Sequence, residues 1–182
     1  MTSPALVERA RQGDREAFDV LAASVVDRLY ALARLILRDA DRAEDATQET
    51  LVRCWRDLPT LRDVGRFEAW LHRLLIHAVN DEFRSKRRHD ANVRVLRLEP
   101  ATEDPSGAVA LREELQHGFE RLTVEHRTVL VLRLYLGLTV EEAAATIGIP
   151  VGTAKSRLHY ATEAMRLALE ANARPPVREV SA

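Results

Sequence analysis

The chain has a single cysteine, Cys54, in 182 residues. One cysteine excludes an intramolecular disulfide and any cysteine-rich zinc site. Glycine and proline occur seven times each, too rarely for a collagen-like or low-complexity chain. They are also too rare for the many tight turns of an all-β fold. No apolar run approaches the roughly 20 residues that cross a bilayer, and no membrane contact is expected. The opening MTSPALVERA lacks the basic start and apolar stretch of a secretory signal, so the cytoplasm is the expected compartment. Catalytic signatures are missing as well. There is no glycine-rich phosphate loop, no serine at a strand-to-helix elbow and no histidine–carboxylate spacing suited to a metal. His72 and His77 are five residues apart and do not face one site. No catalytic residue, metal or cofactor is expected, and the chain is read as a non-enzyme.

What is present is 46% hydrophobic and 30% charged residues, the balance of a folded globular protein. Lysine is nearly missing from the basic set. Of 27 basic residues, only Lys86 and Lys155 are lysines. The net charge of −1 hides an uneven distribution. Asp39, Asp41, Glu44, Asp45 and Glu49 are opposed only by Arg42. Arg84, Lys86, Arg87, Arg88, Arg94 and Arg97 are opposed only by Asp90. Opposite local charges imply separate surfaces for separate partners, and one of them suits nucleic acid.

The periodicity predicts helices throughout. Ser3 is placed to cap a first helix with Pro4 inside its start. Gly13 ends that helix and Asp14 caps the next, where Phe18, Leu21, Val25, Leu29, Leu32 and Ile36 form a stripe. A third helix is predicted over 41–58, with Ala43, Ala46, Thr47, Thr50, Leu51, Cys54, Trp55 and Leu58 inward. A fourth is predicted over 66–88, with Phe67, Trp70, Leu71, Leu74, Leu75 and Ala78 on one stripe. The segment 89–107 breaks the pattern and reads as a flexible linker. Helices resume near Ala108, with Leu111, Leu115, Phe119 and Leu122 in register. The run 129–136 fits a strand or a buried helix by periodicity; Thr123 as N-cap favours the helix. Thr139 and Glu142 form a capping box before a short helix that stops at Gly148. A last helix is predicted from Pro150 to about Ala171, followed by a disordered tail over 172–182. The fold class is therefore all-α: two small helical domains, 1–88 and 108–171, joined by a linker.

Three surfaces carry chemistry. Residues 138–158, LTVEEAAATIGIPVGTAKSRL, form a capped helix, a glycine turn and a longer helix, the pattern of a helix-turn-helix. In the second helix Ala154, Leu158, Ala161 and Met165 face inward at 100° per residue. Gly152, Ser156, His159 and Tyr160 face outward, with Lys155 and Arg157 at the flanks. Hydroxyls, an imidazole and a phenol between two cations are groups that reach base edges while cations hold phosphates. Gly152 and Thr153 let the backbone approach a phosphate. On the third helix Asp45, Gln48 and Glu49 form a compact outer patch, a partner surface or a solvated face. The fourth helix ends in FRSKRRH, more cations than a helix C-terminus needs.

These stretches resemble a known family. DRAEDATQETLVRCWR (41–56), FEAWLHRLLIHAVNDEFRSKRR (67–88) and the run ending GIPVGTAKSRL (122–158) are similar to a bacterial RNA polymerase sigma factor of the extracytoplasmic-function group of the sigma-70 family. The resemblance covers nearly the whole chain apart from linker and tail. It implies that residues 1–88 are a region 2 domain and 108–171 a region 4 domain. By resemblance Asp45, Gln48 and Glu49 contact the clamp helices of core polymerase. His77, Asp81, Arg84, Lys86, Arg87 and Arg88 lie at the promoter −10 element, and the loop 62–66 lies where the group captures a flipped base. Thr153, Lys155, Ser156, Arg157, His159 and Tyr160 lie at the −35 element. His77 stands where the family usually has Asn, and Tyr160 where it often has a basic residue. A dedicated anti-sigma protein is the implied regulator. The competing reading is a helix-turn-helix regulator that acts without polymerase docking, which leaves residues 1–88 without a role. A helical adaptor with no DNA contact leaves the basic surfaces unexplained.

Overall fold

A computed structural model describes residues 2–90 and 118–172, except the side chains of 86–90 and 171–172. All regular structure among the described residues is helical. In chain order the helices are α1 (Pro4–Arg11), α2 (Arg15–Leu37), α3 (Ala40–Asp57), α4 (Phe67–Asp90), α5 (Val124–Leu134), α6 (Val140–Ile147) and α7 (Val151–Asn172). Short 3₁₀ turns, Leu58–Thr60 and Val64–Arg66, connect α3 to α4. The expected linker falls almost entirely outside the described residues, as do the Leu111 and Leu115 stripe positions and the tail. Its first two residues continue α4.

The helix ends follow the side-chain chemistry. The Asp14 carboxylate accepts from the Ala17 amide at 3.0 Å, and Asp39 accepts from the Arg42 amide at 3.2 Å. The Thr123 hydroxyl accepts from the His126 amide at 3.3 Å. Thr139 and Glu142 form the full reciprocal capping box. Each satisfies an amide that the first helical turn leaves without a backbone partner. Ser3 occupies its cap position but makes no side-chain bond there. Gly148 closes α6 in the left-handed region at φ 79°, where a side chain would be strained. The ambiguous run 129–136 is helical through Leu134, as the Thr123 cap indicates.

The α2 stripe is buried as predicted: Leu21, Val25, Leu29, Leu32 and Ile36 are all nearly inaccessible. On α3 the stripe holds for Ala43, Ala46, Thr47, Thr50 and Cys54, with Leu58 buried at the end. The Thr47 and Thr50 hydroxyls donate back to the Ala43 and Ala46 carbonyls, both at 2.6 Å. Burial pushes the Cys54 thiol up to about 12, as expected of a packed rather than a reactive cysteine. Trp55 departs from the expected core position. It is 40% exposed, with its ring edge-on to Phe18 at 4.8 Å. It sits at the margin of the α2–α3 contact, where an indole covers apolar surface while its N–H stays at the rim.

The two halves pack directly on each other. α5 lies against α2, and α6 lies against α4. Val124, Val131, Leu132 and Ala143 belong to the same buried cluster as the α1–α4 core. Arg38, which ends α2 at φ 58°, forms an ion pair with Glu120. Arg127 lies on the α5 stripe with Val124 and Val131 and is buried. Burial, with the Arg38 charge adding to it, lowers Arg127 to about 10. Its Nε has no hydrogen-bond partner. Within the second half, Leu122 and Leu130 pack on Ala161, and Val129 and Ala144 pack on Ala154.

Candidate nucleic-acid and partner interfaces

The first surface lies between α3 and α4. Burial of the alanine stripe turns Asp45, Gln48 and Glu49 outward. Asp45 and Gln48 are exposed and Glu49 is half-buried. Gln48 donates to Glu44 at 3.1 Å. Glu49 accepts from Arg53 Nε at 2.6 Å, and the same guanidinium donates to Asp81 of α4 at 2.9 Å. Arg53 therefore joins a residue expected at polymerase to one expected at DNA. The Asp81 hydrogen bond, opposed by burial and assisted by Glu49, holds Arg53 more firmly protonated than a free arginine. Asp45, Gln48, Glu49, Val52, Arg53 and Asp81 line one open groove. Burial, with the Asp45 charge next, raises the Glu82 carboxyl on its far wall. Arg53 was not among the expected site residues, although its i, i+4 spacing from Glu49 is visible in sequence.

On α4, His77, Asp81 and Arg84 are exposed and fall on one stripe at i, i+4 and i+7. The helix continues through Lys86, Arg87 and Arg88, whose side chains lie outside the described residues. Before α4, Arg62 and Arg66 are exposed. Asp63 caps this turn by accepting from the Gly65 amide at 2.9 Å.

The third surface is the outer face of α7. Ala154 and Ala161 are fully buried, so Thr153, Lys155, Ser156, His159 and Tyr160 point outward and are exposed. Ser156 Oγ donates to the Gly152 carbonyl at 3.0 Å, which leaves its lone pairs outward as acceptors. Lys155 Nζ is 3.8 Å from Glu141 on α6, a loose pair at full exposure that a phosphate can replace. Arg157 is half-buried, with Glu125 of α5 near enough for their charges to interact. Tyr160 lies between two imidazoles, with ring centroids 6.1 Å from His126 and 5.9 Å from His159. His126 was not expected at this surface.

The two halves match known families in chain order. Residues 21–89 match sigma-70 region 2 and residues 118–167 match sigma-70 region 4. The chain is 32% identical to the RNA polymerase sigma-H factor of Pseudomonas aeruginosa over 91% of its own length and 92% of that protein. The chain belongs to the sigma-70 family, as a sigma factor of the extracytoplasmic-function group. It is also 35% identical to the ECF RNA polymerase sigma factor SigL of Mycobacterium tuberculosis, over 78% of this chain and 82% of that one. Among solved structures, CnrH in complex with the cytosolic domain of CnrY matches with a TM-score of 0.62 at 27% identity, covering 92% of this sigma factor and 97% of CnrH. The sigma factor RpoE from Bartonella quintana, in complex with the anti-sigma factor NepR, shares the fold with a TM-score of 0.63 at 24% identity, covering 84% and 96%. This sigma factor binds core RNA polymerase and directs promoter-specific initiation. No helix among its described residues is long and apolar enough to cross a membrane.

Proposed function

We propose that the three surfaces divide the work of this sigma factor. The groove face with Asp45, Gln48 and Glu49 docks the clamp helices of core polymerase. The α4 stripe with His77, Asp81 and Arg84, continued by Lys86, Arg87 and Arg88, meets the −10 element. The α7 face with Thr153, Lys155, Ser156, His159 and Tyr160 enters the major groove at the −35 element, with Arg157 on a phosphate. Region 2 spans 1–88, the linker 89–107 and region 4 108–171. The chain is a binding subunit without catalysis of its own, and it works in the cytoplasm beside polymerase.

The observation that carries the assignment is the chemistry of the exposed faces: carboxylates on α3, the His77, Asp81 and Arg84 stripe on α4 and a mixed polar face on α7. Each leaves the core behind it intact, so each can be occupied without unfolding. Arg53 neutralises Asp81, which lets a carboxylate stand beside DNA at lower electrostatic cost. An anti-sigma protein is the expected regulator, as the anti-sigma factor NepR is the bound partner of RpoE.

Run-off transcription with core enzyme, followed by mapping of start sites, tests the reading. Defined start sites that share −10 and −35 sequences are expected. Asp45→Arg should abolish them through loss of core binding, and loss of the α7 face should abolish only the −35 preference. Tight operator binding by the free chain, with no dependence on polymerase, would overturn it.

A further inference from the structure

We propose that His126, outside the helix-turn-helix, is a positioning residue for −35 selection because it sets the direction of the Tyr160 ring. The inference rests on the assignment of the α7 face to −35 DNA and adds to it a residue from a different helix.

The turn of α5 that carries His126 is held from two sides. The His126 backbone amide is fixed by the Thr123 cap at the first turn of α5. One turn later on the same face, Leu130 is buried against Ala161. That contact locks α5 to α7 next to Tyr160. His126 therefore stands at the edge of a packed helix pair and is itself half-buried, with its ring centroid 6.1 Å from that of Tyr160. Tyr160 has none of this support from its own helix. It is 64% exposed, and a tyrosine on a helix surface has two accessible χ1 rotamers. The described rings within reach of it are the imidazoles of His126 and His159. His159 travels with α7, so it cannot fix Tyr160 relative to the rest of the domain. His126 can, because it belongs to α5. A base-reading side chain that is already directed loses less freedom on binding and discriminates better.

The experiment uses holoenzyme and a promoter library randomised at the −35 element. The wild type is compared with His126→Ala, His126→Gln, His126→Phe, Tyr160→Ala and the His126→Ala/Tyr160→Ala pair. His126→Ala and His126→Gln should both relax preference, by about threefold to tenfold, at the positions that Tyr160→Ala relaxes and at no others. The double variant should match Tyr160→Ala alone, since a positioning residue has nothing to act on once its target is gone. His126→Phe should retain the wild-type preference because it keeps a ring beside Tyr160. A uniform fall across all sequences in the His126 variants, or unchanged preference at the Tyr160-dependent positions, overturns the proposal. If Tyr160→Ala is silent while Ser156 and His159 variants shift preference, the proposal falls and the −35 assignment stands. If no α7 variant shifts preference, both fall.

Discussion

Arg53 changes what substitution of its neighbours measures. Asp45 is exposed and has no ion-pair partner among the described residues, so Asp45→Arg alters the groove without loosening α3. Affinity for core enzyme is expected to drop at least tenfold, about 1.4 kcal/mol, with unchanged helicity; a titration at wild-type affinity would refute the assignment. Glu49→Arg is a less clean probe. It removes a partner of Arg53 and sets two guanidiniums beside each other, with a stability loss on the order of 1 kcal/mol for a half-buried surface pair. His72 is the other residue whose surroundings decide its behaviour. Burial, with the nearby Arg28 charge assisting and Glu68 opposing, lowers its pKa from the ordinary 6.5, and Nε2 has no partner. The unfolded chain therefore binds a proton more readily than the folded one over this range. Stability contributed by the neutral imidazole is complete above about pH 6.5 and is lost as pH falls through the lowered value. Denaturant melts at about pH 7.5 and 5.5 should show the acid loss in the wild type and a smaller loss in His72→Gln. Carboxylates such as Glu8 and Asp14, lowered chiefly by hydrogen bonds to Arg11 and to the Ala17 amide, respond only at more acid pH.

Helix by helix, the legible features were local ones. The caps at Asp14, Thr123 and Thr139, the stop at Gly148 and the α7 faces all depend on residues within four positions of each other. The polar outer face of α7 could be drawn from sequence for that reason. The groove could not, since Arg53 and Asp81 are 28 residues apart and only the packing of α3 on α4 joins them. Arg38 gave no glycine signal for its left-handed end to α2. Ala143 has a clear physical lesson. It is a small residue in the first helix of the helix-turn-helix, as is Ala145. Ala143 is buried in the cluster shared with α4, where a small side chain lets the two helices approach. Ala143→Leu should overfill this contact and cost about 1–3 kcal/mol, read as a lower midpoint in a denaturant melt. On α7, Ser156→Ala, His159→Ala and Tyr160→Ala should change −35 preference by about 1–3 kcal/mol at single positions. Arg157→Ala should weaken all sequences alike, because its charge lies toward Glu125 at the flank and not on the outer face.

At the scale of the molecule, the packed halves and the promoter have incompatible dimensions. Elements named for positions 10 and 35 base pairs upstream of the start lie about 25 base pairs apart, roughly 85 Å at ~3.4 Å per base pair. α4 and α6 touch, and touching helices have axes only about 8–10 Å apart. One arrangement cannot place α4 on one element and α7 on the other. With α4 at −10 and α7 at −35 as proposed, the halves separate before both elements are engaged, and that would expose Val124, Val131, Leu132 and Ala143 of the shared cluster. The contact that holds them is not optimised for permanence. Arg127 is buried within it with an unpartnered Nε, and an unsatisfied buried donor opposes the apolar gain. The ion pair of Arg38 with Glu120 is partly exposed and screened by salt. The free chain should therefore bind promoter DNA weakly and without simultaneous contact to both elements, since polymerase is what fixes their spacing. Fluorescent labels at Val20→Cys on α2 and Leu134→Cys on α5, both highly exposed, would report the separation once Cys54 is replaced by alanine. A short distance is expected in the free chain, and an increase of tens of ångströms in the promoter-bound holoenzyme. Glu120→Arg should lengthen the distance in the free chain at low salt, where the ion pair is strongest. An unchanged distance in the promoter complex would show that the halves stay together, and that one of the two DNA assignments is wrong.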